Sequence, residues 1–244
     1  MVSYFDILWL YVVSFVMYIA MYFILKLLVL EPDTEADEQP KKGKEKGSFK
    51  EILPVLRQFP VVLVSLVLMI IPILFLGSFN LIIMKLSEMH NSTSLSGLIY
   101  TVEGVGFMLG AFLIKRIGQK FKTGSILFTS VFLVGFLQLM MYFTNIDWVA
   151  LVIFSIFGFT VGCFFPTTIT IFQRQVPKEY HGRFFAFRNM MDQTAFQVVL
   201  LSTGALLDLV GLQIMGAIFG VFSLVLSTSF VLYLKAKKMP ISFE

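Results

Sequence analysis

Residues 156–189 read IFGFTVGCFFPTTITIFQRQVPKEYHGRFFAFRN. The stretch begins as apolar chain, breaks into charge at Gln173, and turns apolar again after Arg183. Between Gln173 and Asn189 it holds five charged residues, Arg174, Lys178, Glu179, Arg183 and Arg188, together with His181. Pro177 ends a helix, since it has no N–H and clashes with the turn before it. Gly182 permits a tight turn. Such a chain crosses a membrane, turns at its surface on a basic hinge, and crosses back.

The rest of the sequence agrees. Of 244 residues 57% are hydrophobic and 28 are Phe, with a mean hydropathy of +0.86. Soluble domains are roughly 45–50% apolar and about 25% charged, against 14% charged here. The net charge of +4 does not indicate nucleic acid, because the basic residues sit in short clusters between apolar spans. A single cysteine, Cys163, cannot form an intrachain disulfide. The start, MVSYFDILWLYVV, lacks a basic leader and a small-residue cleavage site, so the first span is read as retained.

A crossing helix needs about 20 apolar residues. Seven runs qualify, at 5–29, 60–84, 94–114, 124–143, 147–171, 186–208 and 213–234. Residues 31–49, EPDTEADEQPKKGKEKGSF, form a solvated linker. Residues 51–59 suit a short amphipathic helix. Alternating the spans puts Lys41, Lys42, Lys44, Lys46, Lys50, Arg57, Lys115, Arg116, Lys120, Lys122, the basic hinge, Lys235, Lys237 and Lys238 on one side. The other side receives only Lys85. The basic side is expected to be cytoplasmic, with the N-terminus outside and the C-terminus inside, in a plasma (inner) membrane.

AFLIKRIGQK (111–120) and GALLDLVGLQ (204–213) share a small residue, Leu, a charge and Gly at equal offsets. Each is read as a span end turning into the next span. Spans two to four and five to seven would then be inverted repeats.

These residues carry a family resemblance. Ala111-x-Leu-x-Lys-Arg-x-Gly-Gln-Lys120 resembles the cytoplasmic loop motif of the major facilitator superfamily, matching at Leu113, Arg116, Gly118 and Lys120. Ala111, Lys115 and Gln119 depart from it, and the Lys115 departure removes the acid of that motif. The hinge resembles the loop before the eleventh helix of drug-efflux facilitators of the macrolide type, through Gln173, Val176, Pro177, Glu179, Gly182, Arg183 and Phe185. The entry LRQFP, residues 56–60, is similar to the approach to their seventh helix.

The resemblance implies an all-α polytopic bundle, the C-terminal half of a facilitator fold. Residues 1–30 would be helix six, 31–59 the cytoplasmic linker, 60–236 a six-helix bundle and 237–244 a tail. It implies efflux of a small lipophilic substrate, with lipid around the protein and no cofactor. The substrate path of such a fold lies between two halves. The other half would come from a separately encoded N-terminal chain or from self-association. The alternative is a non-transporting remnant, or a regulatory protein, of a truncated transporter gene.

Ionisable residues inside spans are costly and mark function. Glu103, flanked by Gly104, Gly106 and Gly110, is the candidate for proton coupling or a cationic substrate; its alternative is helix packing. Asp192 and Arg188, four apart, can pair on one helix face, as a structural cytoplasmic ion pair or as a second candidate for proton coupling. Asn80, Gln138 and Gln197 are uncharged candidates for the path or for interhelical hydrogen bonds. Asp6 and Asp208 are read as interfacial. Gly158 and Gly162 form a GxxxG pair, and Pro72 and Pro166 are expected to kink their spans. The two histidines, His90 and His181, are placed in loops without metal-binding spacing, and no phosphate loop is present. The sequence therefore reads as a non-enzyme.

Overall fold

The computed structural model describes residues 4–27, Leu56 and residues 59–237. They are helical, with no strand among the described residues. The chain divides into two units, residues 1–46 and 47–244. The first contains α1 (Tyr4–Leu27), whose described side chains are exposed and, Ser14 apart, apolar, among them Tyr11, Phe15, Tyr18 and Phe23. A helix apolar on all sides suits lipid. The expected amphipathic helix, the linker lysines, Arg57 and the tail from residue 238 lie outside the described residues.

The second unit begins at α2 (Pro60–Leu68), with Pro60 in the first turn, where its missing N–H costs nothing. Pro72 has no N–H to offer the Leu68 carbonyl, and the helix breaks at Met69 before α3 (Ile70–Met89). Ser92 caps α4 (Thr93–Lys120) by accepting from the Leu95 N–H at 3.3 Å. Then come α5 (Thr123–Met140), a 3-10 turn at Met141–Phe143, and α6 (Asp147–Gln175), which runs through Pro166 without interruption. The last helix, α7 (His181–Ala236), is broken at one residue: Gly211 has φ 77° and ψ 172°, a conformation only glycine adopts readily.

Among the described residues, five helical stretches are long and apolar enough to cross a membrane: Pro60–Met89, Thr93–Lys120, Thr123–Phe143, Asp147–Gln175 and Lys178–Ala236. The last has 59 residues, about 88 Å of helix against a hydrocarbon core of about 30 Å. It therefore crosses twice, and the Gly211 break separates the two legs. Expected spans 94–114 and 147–171 fall inside longer helices, which extend past the apolar run to carry Lys115–Lys120 and Arg174.

Three local expectations need correction. Gly182 does not make the hinge turn. It lies in the first turn of α7, and the turn is made by extended Val176 and Pro177 with a 3-10 turn at Lys178–Tyr180. His181 opens α7 instead of sitting in a loop. Gly118 stays helical inside α4 while Gly211 breaks α7, so the two matched decapeptides do not share a turn.

The tightest packing joins α4 to α6, which run parallel. A methyl group on Gly106 would strike the Ser155 carbonyl, and on Gly110 the Phe159 carbonyl. From the other helix, one on Gly158 would strike the Glu103 carbonyl and one on Gly162 the Phe107 carbonyl. The two backbones touch because four side chains are missing. Gly104, by contrast, faces open space. Beside this seam, α3 and α6 are joined by Phe75, stacked on Phe157 at 3.8 Å and edge-on to Phe154. The second leg of α7 runs antiparallel to α5, with Gly216 against Met141 and Gly220 against Leu139. Between them Ser223 donates to Gln138 Oε1 at 2.6 Å, and Gln138 donates to the Ile71 carbonyl at 3.4 Å. Gln138 is thus a buried interhelical bridge.

Candidate functional site

Helix α3 lies against both α4 and the first leg of α7. Gly77 of α3 meets Val199 of α7, and Asn80 of α3 accepts a 2.8 Å hydrogen bond from the Tyr100 hydroxyl of α4. Asn80 and Tyr100 are both exposed. Phe79 supports the pair by an edge contact with the Tyr100 ring at 5.6 Å. Tyr100 carried no signal in the sequence, since its partner is twenty residues away.

Glu103 lies one turn beyond Tyr100, close enough for neighbouring side chains on one helix face. It is ten residues from Thr93, about 15 Å along α4, and so well inside the span. Its backbone carbonyl is pressed on Gly158 at the α4–α6 seam. Its carboxyl is half-buried and makes no hydrogen bond or ion pair among the described residues. The backbone of Glu103 is therefore fixed by packing while the acid itself stays available.

On α7, Asn189, Gln193 and Gln197 recur every fourth residue and are all exposed. That spacing makes them one polar stripe. Only Gln197 stood out in the sequence; the stripe emerges once Asn189 is placed inside the helix. Asn80, Tyr100 and this stripe are exposed polar groups on three helices of the bundle.

Arg188 and Asp192 come together nearer the hinge. Arg188 Nε lies 3.2 Å from Asp192 Oδ2, with side chains 12% and 26% exposed, so the pair is largely removed from solvent. The approach makes an ion pair, although the Nε–H is not aligned as a hydrogen bond. The guanidinium also stands 5.6 Å from the Phe172 ring centre of α6. Phe172 in turn touches Phe184 edge-on at 5.0 Å. The pair is thereby tied to α6 as well as to its own helix.

The loop-motif residues gather at one end. Arg116, Gly118 and Lys120 are exposed and Leu113 is half-buried on the last turns of α4. Gln173, Glu179, Gly182 and Arg183 are exposed and Pro177 is half-buried around the hinge. Lys115, Gly118, Gln119, Thr123, Pro166 and Arg174 line a shared cavity of about 390 Å³. The α4 motif and the end of α6 are therefore one surface. Among the described residues, no group of three or more His, Cys, Asp or Glu is placed to hold a metal ion.

The family model of the Major Facilitator Superfamily matches the chain twice, over residues 1–196 and 73–243. No curated protein and no solved structure gives a significant match.

Proposed function

The chain belongs to the Major Facilitator Superfamily, a family of membrane transporters, and on that footing we propose that it serves proton-coupled efflux of small lipophilic compounds. The observation that carries this reading is the set of exposed polar groups on α3, α4 and the first leg of α7. Lipid does not satisfy amides and hydroxyls, so polar groups at membrane depth turn toward a cavity or another helix. Asn80, Tyr100, Gln193 and Gln197 are exposed, and in this reading they form one wall of the substrate path. A second six-helix unit supplies the other wall, related by an axis along the membrane normal. The macrolide-type hinge, Gln173 to Phe185, is what supports a drug-like substrate.

Glu103 is the proposed coupling acid. It is half-buried, unpaired and one turn from Tyr100, so a proton can reach or leave it without breaking an ion pair. Arg188 and Asp192 hold the hinge end of α7 in position. The basic end is taken as cytoplasmic, in the plasma membrane.

Drug accumulation in efflux-deficient cells tests the reading. Cells expressing the chain should accumulate less of a lipophilic cationic dye, and Glu103→Gln should restore full accumulation at equal membrane insertion. Unchanged accumulation with the inserted native chain would mean that it needs a separately encoded half or does not transport.

A further inference from the structure

The end of the bundle opposite the basic hinge is closed by side chains from three connections. His90 follows α3, and its Nε2 lies 2.9 Å from the carbonyl oxygen of Thr144, between α5 and α6. Its Nδ1 contacts Asp147 Oδ1 at the start of α6. Gln213, just after the Gly211 break, donates to Asn145 Oδ1 at 2.9 Å. The His90 side chain is only 11% exposed, while Asp147 is 55% exposed. The connections α3–α4, α5–α6 and the break in α7 are thereby laced together.

The donor count at His90 has a consequence. A carbonyl oxygen can only accept, and an ionised carboxylate can only accept. A neutral imidazole has one N–H and one bare nitrogen. With Thr144 on one side and Asp147 on the other, a neutral ring would press a lone pair on the carboxylate in one tautomer and on the Thr144 carbonyl in the other. Two arrangements avoid this: imidazolium beside carboxylate, or neutral imidazole beside carboxylic acid. Both contain the same extra proton.

We infer that His90 and Asp147 form a proton-binding site that locks the α3–α4 connection to the α5–α6 connection. The site lies outside the polar groups assigned to transport and stands whether or not Glu103 couples protons. With the proton the pair is neutral overall and both contacts are made. Without it the pair carries one negative charge and His90 keeps one contact at most. The other charged groups at this end do not substitute for the proton. Lys85 and Glu88 pair with each other at 3.1 Å on the last turn of α3. Asp208 is exposed on α7 and, being acidic, only adds negative charge. Asn145 and Gln213 are neutral.

The test uses the full chain in lipid nanodiscs, with amide hydrogen exchange read at residues 90–93 and 144–149 and corrected for the intrinsic effect of pH. These segments should be protected at about pH 5 and lose about tenfold protection or more by about pH 9, as expected for losing a charge-assisted hydrogen bond. Labelling the histidine ring nitrogens gives a direct reading, because the chain has two histidines. Both His90 nitrogens should carry protons at the low pH and only one at the high pH. Asp147→Asn separates the lock from its proton, since an amide can donate to a neutral ring. That variant should stay protected at both pH values, while His90→Ala should be open at both. Equal protection of the native chain at the two pH values would overturn the proposal. So would an Asp147→Asn variant that keeps the native pH response.

Discussion

Replacing Gly158 with alanine would drive a methyl group into the Glu103 carbonyl. Backbone cannot swing aside as a flexible side chain can, so α4 and α6 must separate. The expected cost is about 1–3 kcal/mol, the usual range for overpacking, read as a lower unfolding temperature in detergent. Gly104→Ala, one residue after Glu103, should leave that temperature unchanged because nothing lies within 4 Å. Both glycines are equally plain in the sequence, and only the partner helix separates them. The same limit applies to Asn80, whose Tyr100 partner lies on another helix. Arg188 and Asp192 were legible because their interaction is local: four residues apart on a helix is a contact by geometry alone. The Phe172 ring beneath Arg188 was not, since it belongs to α6.

Among elements, the bond between α5 and the second leg of α7 can be isolated. Gln138→Leu removes the acceptor of Ser223 and the donor to Ile71. A stability loss of about 1 kcal/mol is expected, within the range for hydrogen bonds between membrane helices. An equilibrium unfolding titration of the variant beside Ser223→Ala and the double variant measures the coupling. The double variant should be less destabilised than the sum of the singles. Helix existence was legible from apolar runs, and the ends were not. Helices α4 and α6 outrun their apolar segments because charged residues continue a helix once it emerges into water. Pro72 and Pro166 show why a proline alone does not settle a break. Near Pro72 the helix parts at Met69, whereas α6 absorbs Pro166. The neighbouring helices decide how far the freed carbonyl is tolerated. Gly182 misled for the complementary reason: Val176 and Pro177 had already made the turn before the chain reached it.

For the whole molecule, charge is divided between the two ends. Lys115, Arg116, Lys120, Lys122, Arg174, Lys178, Arg183, Lys235 and Lys237 share the hinge end. Lys85, already paired with Glu88, is the basic side chain of lysine or arginine type at the other among the described residues. This division was legible because topology depends on the order of spans and charges, not on their packing. Sidedness can be measured by cysteine labelling, with the buried Cys163 as a quiet background. Ser94→Cys should react with an impermeant maleimide in intact cells. Lys120→Cys should react only after the membrane is opened. The reverse pattern would turn the molecule over. The exposed polar groups were only partly legible, because Asn189 joins Gln193 and Gln197 as a stripe only once it is placed inside α7.

The break at Gly211 bears on how the protein is made. One residue joins two crossings, and it leaves no slack chain on the far side of the bilayer. The first leg cannot settle across the membrane while the second waits in water, because the far end of the first is already the near end of the second. Residues 181–236 are therefore expected to enter the lipid together, as a single cargo for the insertion machinery. A chain cut short soon after Gly211 would leave the first leg without the partner it enters with.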